Sequence, residues 1–240
     1  MTVRVYRSTD AGAPILTGQV GSLLGILDAC LVNGFGSLAS SGWAKLSLAA
    51  NIAAYKQPAT GSNGFYIRVD DTAVQAARVV GHETITDVST ATRPFPTAAL
   101  QPGGGYVYKS ATSDATARPW LLVCNGPMFY MVIGQAASDP NWYSSFAWGF
   151  GDITSYRAAD AYGTILIAAA TMGGTLSQFS ITLTNAAMVT GIPGHWLCRP
   201  FTGIGSMSTT AGKVTDNAKG HGGTLGNGGM AYPSPIDGGL

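Results

Sequence analysis

The chain has 240 residues, of which 46% are apolar, enough to build a real core. Charged side chains make up only 10%, against about 25% in an average domain, and the net charge is +1. Thirteen basic residues scattered without a run argue against nucleic acid as a partner, and no window of 18 apolar residues suggests a membrane-spanning helix.

A surface this neutral gains little from charge repulsion, so much of it is expected to face other protein rather than water. A monomer with a hydroxyl-rich surface is the alternative. The opening MTVRVYRSTD has a charged, strand-like segment where a signal peptide would carry its apolar region. Cys30, Cys124 and Cys198 are odd in number and widely spaced, with Cys30 among leucines and Cys124 in LLVC. Cys30 and Cys124 read as small buried hydrophobes, and the set suits a chain folded in a reducing cytoplasm rather than a disulfide framework.

In chain order, VRVYR at 3–7 alternates and predicts a first strand. The stretch TGQVGSLLGILDACLVNG predicts the one amphipathic helix, over 18–32, with Val20, Leu23, Leu24, Leu27 and Leu31 on its apolar face and a stop at Asn33-Gly34. Gly25 lowers its helix propensity by about 1 kcal/mol relative to Ala. That glycine either lets a sheet approach closely or is incidental.

From Trp43 the period becomes two. GWAKLSLAAN and IAAYKQPA predict short strands, and GSNG at 61–64 a turn. FYIRVDD places Phe65, Ile67 and Val69 on one face and, with ARVVGHETITDV, predicts a hairpin. RPFPTAALQPGGG, 93–105, with three prolines and three consecutive glycines, predicts a surface loop. WLLVCNGPMFYMVIG predicts a second hairpin around Asn125-Gly126; its arms are apolar on both faces, which suits a central or covered position. One helix laid across a largely antiparallel sheet would cover an otherwise wet face.

In WYSSFAWGFGDITSY, Trp148 and Phe150 alternate with Gly149 and Gly151, so aromatics line one face of a strand and bare backbone the other. Such a strand suits a tight sheet-to-sheet or subunit contact, or an ordinary aromatic core. GTILIAAATMGG at 163–174 reads as a buried strand. From Gly203 the chain turns glycine-rich without a sustained period and should not form a core alone. The expected fold is therefore α+β: a mainly antiparallel β-sheet with one N-terminal helix packed on it in a domain over 1–202, and an extended glycine-rich arm over 203–240. Trp142, Phe146, Trp148 and Phe150, with Gly203, Gly212, Gly222 and Gly223 of the arm, are the candidate interface residues.

The catalytic inventory is thin. His82, His195 and His221 are far apart, no zinc-ligand spacing or G-x-S-x-G elbow occurs, and GQVGSLLG lacks dinucleotide-fingerprint spacing and a P-loop lysine. Asp70 and Asp71 would point to opposite faces of a strand, so a capping or turn role fits them better than acid–base work, and Asp87 is similar. No catalytic residue, metal or cofactor is expected.

The strings LTGQVGSLLGILDACLVNGFG, GWAKLSLAANIAAYKQPATGSNGFYIRVDD and ARVVGHETITDVSTATRPFP, with the later GIPGHW and YPSPIDGG, resemble a family of structural or hypothetical proteins encoded among the virion genes of tailed bacteriophages and prophages. The resemblance runs over most of the chain and rests on no catalytic motif. It implies a homo-oligomer that meets other virion proteins, as a capsid-associated (decoration or minor head) protein or in the tail or baseplate. It also implies assembly in the bacterial host cytoplasm; direct contact to nucleic acid or membrane is not expected, on the charge and hydropathy above. The alternatives are a carbohydrate-binding module or a small enzyme with a pocket near the 142–150 aromatics.

Overall fold

The computed structural model describes residues 2–87, 89–98, 101–134, 145–153, 161–169 and 193–197. The expected arm at 203–240, its boundary at 203, and Trp142 lie outside them.

Among the described residues the fold is α+β, one helical segment against a mainly antiparallel sheet. Strand β1 (Arg4–Arg7) is followed by α1 (Ser22–Leu27), which widens into a π-type helix over Asp28–Asn33. The helix begins four residues later than its apolar pattern suggests. Gly21 caps it at φ 74, outside the helical region, and Val20 is left exposed in the preceding turn.

One wing of the sheet runs β2 (Ala44–Ala49), β3 (Ile52–Lys56), β4 (Tyr66–Asp70), β5 (Ala76–His82) and β8 (Gly105–Tyr108). The other runs β1, β9 (Trp120–Cys124), β10 (Met128–Gly134), β11 (Ser145–Asp152) and β12 (Thr164–Ala169), with β13 (Pro193–Leu197) also on β12. The wings meet where β8 touches β12, at Tyr106 opposite Ala169. A short hairpin, β6 (Thr84–Ile85) with β7 (Ala91–Thr92), continues from β5.

The two-residue period of a strand sorts the side chains. Ile67 and Val69 of β4, Leu122 and Cys124 of β9, Phe129, Met131 and Ile133 of β10, and Leu166 of β12 all join one hydrophobic cluster. Leu23, Leu24, Ile26, Leu27, Cys30 and Leu31 of the helical segment belong to the same cluster, so the helix is seated on the core face of the sheet. Gly25 is exposed, and among the described residues a Cβ there would meet nothing within 4 Å outside the helix. It is incidental rather than a point of close approach.

The β9–β10 hairpin turns one residue later than its Asn-Gly signal suggests. Gly126 (φ 95) and Pro127 form the two-residue loop, and Asn125 closes it by donating its amide to Met128 O at 3.0 Å. Within the expected 93–105 loop, residues 93–98 are irregular and Gly105 already belongs to β8. Part of this loop departs from a surface position, with Phe95, Pro96 and Gly104 buried. Phe95 bridges back to Gly81 through two 2.9 Å backbone hydrogen bonds, and its ring is buried. A Cβ at Gly81 would collide with that ring, so the bare backbone at 81 admits Phe95 to the core.

Candidate functional site

The aromatics of β11 are turned inward. Phe146, Trp148 and Phe150 are buried by the chain's own Trp43, Phe95, Tyr108 and Phe129, with ring centroids 5.0–6.0 Å apart. They form part of the core. The glycine face is also covered from within: Tyr130 of β10 crosses Gly149, where a Cβ would lie 2.9 Å from its ring. Of the candidate interface residues, these three thus sit in the core, and Trp142, Gly203, Gly212, Gly222 and Gly223 lie outside the described residues.

Asp70 and Asp71 divide their work as their parity requires. Asp70 accepts from the Thr72 amide at 3.2 Å and its hydroxyl at 2.6 Å, a local turn. Asp71 is fully buried. One of its oxygens, Oδ2, accepts the Leu23 amide at 2.8 Å, capping a helix that starts some 48 residues earlier; the other, Oδ1, forms an ion pair with fully buried Lys109. The Lys109 Nζ also donates to Gln19 O at 2.7 Å and Ala73 O at 3.1 Å. Burial pushes the Asp71 carboxyl above its ordinary range, opposed by Lys109 and by the Leu23 and Leu24 amides. Lys109 carries no sequence signal: in YVYKS it looks like the solvated end of a strand.

A second polar knot joins the wings. Asp152 at the end of β11 accepts from Gln57 Nε2 at 2.7 Å, the Asn63 amide at 2.7 Å and the Thr164 hydroxyl at 2.6 Å. Gln57 also donates to Pro127 O at 2.9 Å and accepts the Phe65 amide at 2.8 Å. The GSNG turn thereby docks onto the far wing through Asn63. A third cluster fastens the 110–118 loop, where buried Arg118 donates to Ser110 Oγ at 2.7 Å, Thr112 Oγ1 at 2.6 Å and Asp114 Oδ1 at 3.0 Å.

His82 is buried on β5, with neither ring nitrogen in hydrogen-bonding geometry among the described residues. Burial, with Arg68 nearby, pushes its pKa down to about 4 against a weaker pull from the Thr92 backbone. Arg68 Nε on the adjacent strand is likewise buried without a hydrogen bond among the described residues. His195 falls on β13, opposite Ile167, and His221 is outside the described residues. Asp87 caps its own turn, and bonds from the Ser89 hydroxyl and amide and from Thr90 hold its carboxyl at about 2. Cys30 and Cys124 are free and buried, which pushes both thiols up and leaves them unreactive. Among the described residues no group of three or more His, Cys, Asp or Glu side chains could hold a metal ion.

The sheet has an open edge at β2, which ends the strand order with β3 as its only strand partner among the described residues. Its outer positions are exposed, and its one charge, Lys45, is paired with Asp28 at 2.7 Å. Among the described residues no helix is long and apolar enough to cross a membrane. No protein-family model, no curated protein and no solved structure matches the chain.

Proposed function

We propose that the protein is a structural component of a tailed bacteriophage particle, assembling through contacts with copies of itself and with other virion proteins in the head or in the tail or baseplate. The observation that carries this reading is the open edge of β2. An edge strand exposes a row of backbone donors and acceptors, and monomeric proteins usually guard such rows with charge or proline. Here the row has one lysine, already neutralised, in a chain that is only 10% charged. The resemblance of the long strings to virion proteins points the same way, as do two free buried cysteines suited to assembly in a reducing host cytoplasm.

The buried polar side chains support the same reading. Asp71, Lys109, Gln57 and Arg118 are used in holding loops and helix to the sheet, and the β11 aromatics on which a sugar-binding or enzymatic reading would have drawn are part of the core. The test is the mass of the purified chain by light scattering over a wide concentration range, with electron microscopy of what elutes. A closed ring or larger symmetric assembly is expected, weakened by removal of residues 203–240 and by a proline placed at Ser47 on the open edge. A monomer at every concentration, alone and with other virion proteins added, would overturn it.

A further inference from the structure

We propose that Lys109 and Asp71 condense into an internal amide, a covalent brace between the end of β8 and the β4–β5 turn that needs no cofactor. Four features of one buried site support it, independently of any role in a virus particle.

The first is proximity without solvent. Both side chains are fully buried, with Nζ held on Oδ1 by the carbonyls of Gln19 and Ala73 on its other sides. A nucleophile held on one oxygen of the carboxyl group it attacks needs no encounter, and no bulk water competes. The second is a place for developing charge. When Nζ adds to Cγ, negative charge grows on Oδ2, which already accepts the Leu23 amide at 2.8 Å at the start of α1, with the Leu24 amide also directed at the carboxylate. Backbone N–H groups so placed are the kind of donors that stabilise a tetrahedral oxyanion.

The third is protonation. An ammonium has no free electron pair, so the lysine must first become an amine. Burial favours the protonated form of the Asp71 carboxyl, and a proton passed from Nζ to Oδ1 leaves the neutral amine–acid pair. The fourth is the fit of the product. The amide oxygen keeps the Leu23 bond, and the one remaining N–H keeps the carbonyl of Gln19 or Ala73, so the new amide has partners for both its polar groups.

The step balances within the pair. Nζ passes one proton to Oδ1 and its freed electron pair forms the bond to Cγ, while the Cγ–Oδ2 π pair moves onto Oδ2. A second Nζ proton passes to Oδ1, the Oδ2 pair returns, the Cγ–Oδ1 bond breaks, and Oδ1 leaves as water. Nothing is oxidised or reduced.

The experiment is the intact mass of the denatured full chain, followed by tryptic peptide mapping. The expected result is a mass lower than the sequence mass by one water. A branched peptide should join residues 69–78, released by cleavage after Arg68 and Arg78, to the segment that contains Lys109. The uncleaved bond after Lys109 is part of the signature. The Lys109→Arg variant should run at its full sequence mass and migrate more slowly on a denaturing gel, because the loop from 71 to 109 is no longer closed. Wild-type protein at its full mass, with Asp71 and Lys109 in separate linear peptides, would overturn the proposal whether or not the variant folds. A lost water mapped to any other residue would overturn it equally.

Discussion

Two carboxylates at strand ends, Asp71 just past β4 and Asp152 closing β11, are satisfied in opposite ways. Asp71 is sealed from water and meets a lysine and helix amides, a charged solution. Asp152 is only partly buried and is met by a glutamine, a threonine hydroxyl and a loop amide, all neutral. Depth accounts for the difference. A sealed carboxylate must find an opposite charge or give up its own, whereas one near the surface keeps some access to water and is satisfied by neutral donors.

The largest effect is expected at the sealed carboxylate. Asp71→Ala leaves the Lys109 ammonium buried without a counter-charge, the start of α1 uncapped and the proposed brace unmade, and should cost at least about 3–5 kcal/mol in urea unfolding. Replacing both partners by apolar residues of similar size, Asp71→Leu with Lys109→Met, should cost less than Asp71→Ala alone. If the double variant is the worse of the two, the pair contributes more than mutual neutralisation.

His82 is a third case, a buried titratable group with no counter-charge among the described residues. In the unfolded chain it takes up a proton near pH 6.5, whereas the folded state resists until about 4. Stability is therefore unaffected above 6.5 and falls as the pH drops from 6.5 toward 4, by up to about 3 kcal/mol. A His82→Gln variant should lack this part of the acid sensitivity, measured as the difference between the two proteins' unfolding free energies across that range. Asp152→Ala, the shallow counterpart of Asp71→Ala, should cost about 2 kcal/mol, since the donors it strands can partly rehydrate. The smallest effect is a gain: Gly25→Ala on the exposed side of α1 should stabilise by up to about 1 kcal/mol, visible as a higher melting temperature.

The β4–β5 and β9–β10 hairpins could be read from the chain because alternation and turn residues act between neighbours. Phe65, Ile67 and Val69 share a buried face as their spacing requires, and Asn125 and Met128 flank a turn at Gly126-Pro127, shifted by a single residue from the Asn-Gly signal. The helix was readable as an element but not in its start, since Val20 continues the apolar pattern while Gly21 breaks the backbone. The aromatic strand was readable as a strand with two distinct faces. Whether its rings meet a neighbour or the chain's own core depended on Trp43, Phe95 and Phe129, which no local pattern connects to it.

Side-chain period, turn chemistry and composition were thus enough for the alternating strands, the helix near the start, the hairpin between Cys124 and Met128 and the scarcity of charge. Each of these acts over a few residues or over the whole chain at once. Only the assembled fold brings Asp71 to Lys109 and to the start of α1, Gln57 to Asp152, and Phe95 into the core over Gly81. These partners are separated by 38 and 48 residues for Asp71 and by 95 for Gln57. Their meeting depends on the register of several strands together, because moving one strand by a single residue would turn its side chains to the opposite face.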